Sequence, residues 1–111
     1  MERKQALKNL INLSAPPLEV KEHLNNYPWD YNGRPIIFTQ MHINNACQKL
    51  FDGMISEQYL KDWANIIECR EDIEFKKEQN DIILQCIYEL ANPSLIGQSI
   101  REIARSILDK K

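Results

Sequence analysis

Apolar residues recur at intervals of three and four along most of this chain, the spacing that collects them on one face of an α-helix. The first such segment, about residues 2–13, aligns Ala6, Leu7, Leu10 and Ile11. Ser14-Ala15-Pro16-Pro17 interrupts it. A proline is tolerated in the first turn of the next helix, where its missing N–H has no partner to lose. Leu18, Val20 and Leu24 give that second helix, about residues 17–26, a thinner stripe. Tyr27-Pro28-Trp29-Asp30-Tyr31-Asn32-Gly33-Arg34-Pro35 is rich in turn formers and aromatic rings and reads as a loop. Ile36-Ile37-Phe38 suits a brief extended segment, but three residues are too few to predict a sheet.

From Thr39 onward the signals sharpen. Ile43, Ala46, Cys47, Leu50 and Phe51 form a third stripe, and Asp52-Gly53 supplies its C-terminal stop. Ser56 suits an N-cap, because its hydroxyl can accept an N–H of the first turn that has no partner inside the helix. Ile55 can staple onto Leu60 across that cap, and Leu60, Trp63, Ala64 and Ile67 continue the face. Arg70-Glu71-Asp72-Ile73-Glu74-Phe75 reads as an acidic link. Ile83, Cys86, Ile87 and Leu90 make the fifth stripe, closed by Asn92-Pro93. Ser99 and Glu102 have the spacing of a capping box and open a last helix with Ile100, Ile103, Ala104, Ile107 and Leu108 on its inner face. The expectation is an all-α fold, a compact bundle of about six short helices with no substantial sheet, in a single domain over residues 1–111.

Composition narrows the class of protein. At 111 residues, 43% hydrophobic and 27% charged, the chain can bury one core without a metal or a disulfide to staple it. Three glycines leave little for phosphate loops. No apolar run approaches the length of a membrane span, and Met1-Glu2-Arg3-Lys4-Gln5 leads into a polar segment rather than the apolar core of a signal peptide. Cys47, Cys69 and Cys86 are odd in number and fall in or beside apolar stripes, as expected of reduced, buried thiols. Together these features predict a cytoplasmic protein.

Charge is balanced in sum, at −2, and uneven in distribution. Residues 52–81 hold nine acids against four bases, whereas both flanking segments are slightly basic. An acidic middle disfavours nucleic acid, whose phosphates need clustered Lys and Arg. It suits a basic protein surface better.

Candidate chemistry is sparse. His23 and His42 are the only histidines, and neither has zinc-type spacing with a cysteine pair. His42 and Cys47 fall about 140° apart around a helix and do not converge. Glu71, Asp72 and Glu74 could serve acid–base or metal chemistry, but they lack the order of a calcium loop and are simpler to read as solvated charge. Walker and dinucleotide glycine motifs are missing. No catalytic residue, cofactor or metal is expected. Arg101 and Arg105, with Lys110 and Lys111 beyond, make a thin basic stripe that a small DNA-binding regulator could use, although such charges also complement a helix C-terminus. Trp29 can plug the core, leaving Asp30 and Tyr31 as the exposed members of the aromatic loop and candidate contacts.

One pattern spans more than half the chain: Pro28-Trp29-Asp30, then Phe51-Asp52-Gly53-Met54-Ile55-Ser56, then Asp62-Trp63-Ala64-Asn65-Ile66-Ile67-Glu68-Cys69-Arg70-Glu71-Asp72-Ile73, then Glu89-Leu90-Ala91-Asn92-Pro93. It resembles the small all-α bacterial immunity proteins that accompany antibacterial toxins in contact-dependent growth inhibition and bacteriocin systems. The resemblance implies a non-enzymatic inhibitor that binds a cognate toxin, commonly a nuclease domain with a basic surface, and neither nucleic acid nor membrane. Glu68, Glu71, Asp72 and Glu74 would then be the charged contacts, with Arg70 either among them or an internal ion-pair partner. Binding should weaken with salt and on charge reversal at Glu71 and Asp72. Without the resemblance, the same surface suits a helical scaffold or regulatory module.

Overall fold

Helices form where the apolar stripes predict them. The structure is a computed structural model and describes residues 3–13, 19, 22, 36–70 and 73–109. Its α-helices are α1 (Arg3–Ile11), α2 (Gln40–Phe51), α3 (Glu57–Cys69), α4 (Asn80–Ala91), the single turn α5 (Pro93–Ile96) and α6 (Ile100–Asp109). Of the second helix expected at 17–26 only Glu19 and Glu22 are described, both of them helical; the rest of that segment and the aromatic loop at 27–31 lie outside the described residues, as do His23, Glu71 and Asp72.

The capping signals explain the helix ends. Ser56 Oγ accepts the Tyr59 N–H at 3.1 Å, and Ile55 packs half-buried against the core that holds Leu60. Ser99 and Glu102 form the reciprocal box: Ser99 N–H donates to Glu102 Oε1 and Glu102 N–H to Ser99 Oγ, both at 3.1 Å. α2 ends in a Schellman turn. Gly53 takes the left-handed φ of 78° that a side chain resists, while Met54 N–H reaches Lys49 O at 2.9 Å and Gly53 N–H reaches Leu50 O at 3.2 Å. Asn92-Pro93 stops α4 and also starts α5, with proline in the first turn where it is tolerated.

Ile36–Phe38 is extended, as its composition suggests, and it takes part in a miniature two-stranded sheet. β1 (Ile36–Phe38) runs parallel to β2 (Ile73–Phe75), with Ile36 opposite Ile73, Ile37 opposite Glu74 and Phe38 opposite Phe75. The ladder continues through Lys76 N–H to Phe38 O at 2.8 Å. The second half of the acidic link is therefore strand. Its burial alternates, with Ile73 inside, Glu74 outside and Phe75 half-buried, but three residues carry too little periodicity to be seen against helical stripes. The domain remains all-α apart from this miniature sheet.

The pairing has a structural purpose, because it drives Phe38 into the centre. Phe38 is fully buried, and its ring lies 5.7 Å from Trp63, 5.8 Å from Phe75 and 5.4 Å from His42. Trp63 is also fully buried, and its Nε1–H donates to Leu10 O at 2.7 Å, tying α3 to α1. α3 and α4 form the largest helix pair, and α6 closes against α2, α3 and α4.

His42 turns out to be a capping residue. Its Nδ1 accepts the Thr39 N–H at 3.0 Å while its ring stacks on Phe38. Burial holds its pKa below the usual 6.5. Protonation would place an N–H against an N–H beside the positive end of α2. Because the folded pKa is the lower one, the unfolded chain binds more protons. This contribution is complete above pH 6.5 and fades as pH falls through the folded value. His42→Gln, which keeps an acceptor at the same helical position, is expected to flatten the loss of stability between pH 7 and pH 5. Urea titrations of both proteins across that range check it, and an unchanged slope in the variant would assign the acid sensitivity to other groups.

Candidate interaction surface

The carboxylates predicted as contacts are set out from the C-terminal end of α3 onward. Glu68 is exposed in the last turn of that helix, which contains no basic residue. A carboxylate there faces the negative end of the helix dipole, at a cost of about 0.3–1 kcal/mol. Stability alone does not favour an acid at this position. Arg70 follows as the C-cap, half-buried, with its N–H on Ile67 O at 3.3 Å.

Glu74 is the middle residue of β2, where the pleat turns it outward beside Ile37, which is 48% exposed. Beyond β2 the chain makes one 3₁₀ turn (Lys77–Gln79), fastened to the start of α2 by the Gln40 N–H bond to Gln79 Oε1 at 3.1 Å. This turn and the first turn of α4 enclose a shallow, open cleft of about 690 Å³. Glu74, Glu78 and Asp81 line it against a single cation, Lys77, and Phe75 and Ile82 add apolar wall. Ile82 is half exposed and belongs to no core stripe. Glu74 is thus brought together with Glu78 and Asp81, whereas Glu68 is not among the residues lining the cleft. Of the other expected contacts, Glu71, Asp72, Asp30 and Tyr31 lie outside the described residues.

Ile37, Ile82, Glu78 and Asp81 are additions that patterning alone does not single out as contacts. Ile37 needs the strand pairing to be placed, and Ile82 reads in sequence as one more apolar residue of an apolar helix. The surface is amphipathic as well as acidic, a composition suited to a protein partner: apolar area contributes affinity and carboxylates contribute orientation and rate.

Cys47 and Cys86 serve the core. Cys47 is fully buried, and burial together with the neighbouring Cys86 pushes its thiol up to about 12, so it stays protonated and poorly nucleophilic near neutral pH. Cys86 is half-buried against the same core. Among the described residues no three His, Cys, Asp or Glu side chains converge in a way that could hold a metal ion. No described helix is long and apolar enough to cross a membrane.

Comparison of the chain with protein-family models, curated proteins and solved structures finds no match.

Proposed function

We propose that this protein is an immunity protein, one that neutralises an antibacterial toxin by docking an acidic face onto the toxin's basic surface in the cytosol of the producing cell. The observation that carries the reading is the acidic cleft of Glu74, Glu78 and Asp81 with Ile82 and Phe75 in its wall. Glu68, which opposes the dipole of its own helix, extends the acidic character toward α3. A nuclease toxin must offer cations to phosphate, and a carboxylate-rich surface competes for those cations directly. Opposite charge also accelerates encounter, which matters for an inhibitor that has to act before damage accumulates. The family resemblance of the Asp-Trp-Ala and Glu-x-Arg-Glu-Asp-Ile segments supports the same reading.

The test is binding to the product of the neighbouring reading frame. The expected result is a tight one-to-one complex by calorimetry, together with protection of cells that express that product. Failure to bind it, with stable co-purification in a metabolic or regulatory complex instead, would replace the inhibitor with a scaffold.

A further inference from the structure

A second charged cluster lies at the opposite end of α3 from Glu68. Arg101 and Arg105 stand one turn apart on the exposed side of α6, and both guanidinium carbons sit over the Phe51 ring, 5.4 Å and 5.2 Å from its centroid. Phe51 is the half-buried last residue of α2. Among the described residues neither guanidinium has a carboxylate partner. Two cations at i and i+4 repel each other, and the negative face of the ring is what draws both to one place. The main chain is anchored here too: Arg101 N–H donates to Glu57 Oε1 at 3.1 Å, fixing the start of α6 on the start of α3. Met54, 67% exposed, adds apolar surface on the turn that leaves Phe51.

A guanidinium attracted to a ring still has its fork of N–H donors to offer, and that fork suits bidentate bonds to a carboxylate. We propose that Arg101, Arg105 and Phe51 form a docking site for an acidic side chain of a partner protein, with Met54 as its apolar margin. A carboxylate seated there neutralises the repulsion that the fold builds in. A nucleic acid backbone fits less well. Asp52 and Glu57 near the turn and Glu102 and Asp109 on α6 are all exposed, and a polyphosphate needs a run of cations without intervening acids. Arg, Met and aromatic residues are also the types enriched at protein interfaces. The 13-residue α3, about 20 Å long, runs between this cluster at its start and Glu68 in its last turn. The site goes beyond the toxin reading, because it takes a partner surface of opposite charge.

The test uses the intact protein and follows the side-chain Nε–Hε signals of Arg101 and Arg105 and the ring signals of Phe51 by NMR. The probe is a blocked Leu-Glu-Leu peptide, compared with Leu-Gln-Leu, inorganic phosphate and a thymidine oligonucleotide. The expected result is saturable shifts at these three residues with the acidic peptide, and binding weaker by about fivefold or more with the glutamine peptide. The double variant R101Q/R105Q should lose the acidic peptide's advantage. R101K/R105K, which keeps the charges but not the bidentate geometry, should retain only part of it. Equal shifts with both peptides would overturn the proposal, as would tighter binding of phosphate or of the oligonucleotide. Should the glutamine variant fail to fold, the two peptides on the native chain decide alone.

Discussion

Replacing Trp63 with alanine is expected to remove about 3–5 kcal/mol of folding stability, a large share of the roughly 5–15 kcal/mol that holds a domain together. The indole is fully buried and meets Phe38 at 5.7 Å, so its loss opens a cavity where α1, α3 and β1 converge. The hydrogen bond contributes less. Leu10 O accepts the Leu13 N–H at 3.2 Å as well as the indole N–H, so deleting the indole removes one of two bonds and leaves no orphaned carbonyl. Trp63→Phe, which keeps most of the volume and loses that bond with the smaller part of the ring system, should cost less, about 1–3 kcal/mol. Urea unfolding separates the two cases as midpoint shifts at constant slope. A phenylalanine variant as unstable as the alanine variant would show that the tie to α1, and not the filling of the core, is what Trp63 supplies.

The helices were legible because each signal was local. Ser56, the Ser99–Glu102 pair and Asp52-Gly53 act within one turn of the residues they cap, and all three perform as their spacing predicts. The stripe containing Leu60, Trp63, Ala64 and Ile67 is buried along its length for the same reason. The miniature sheet was illegible because parallel pairing joins Phe38 to Phe75 across 36 intervening residues, and neither strand is long enough to show its own period. The candidate surface shares this division. Glu68 and Glu74 stand out from charge distribution alone, but the partnership of Glu74 with Asp81 and Ile82 depends on how β2 turns into α4. Likewise, the Arg101–Arg105 stripe is visible in sequence as simple dipole complement, and only the packing of α6 on α2 sets both guanidiniums over Phe51.

On the proposed inhibitor reading, reversing the acidic surface should strongly weaken binding to the toxin partner that reading requires. For Glu68→Lys combined with Glu74→Lys, the expected loss is on the order of 10²-fold in Kd, about 2.7 kcal/mol. Both side chains are exposed, so neither substitution disturbs the core. Much of the loss should appear as slower association, since steering acts before contact. Salt then distinguishes the proteins: raising ionic strength from about 0.15 M to 1 M shortens the screening length from about 8 Å to 3 Å. The native complex should weaken over that range and the variant complex much less. Folding stability moves in the opposite direction, which excludes a trivial cause. A lysine at 68 complements the end of α3 that Glu68 opposes, and the variant should gain about 0.3–1 kcal/mol on that account. A protein that is more stable yet binds less tightly has lost an interface and kept its fold. Undiminished affinity in this variant, and in Glu71→Lys with Asp72→Lys, would move the toxin contact away from the acidic surface altogether.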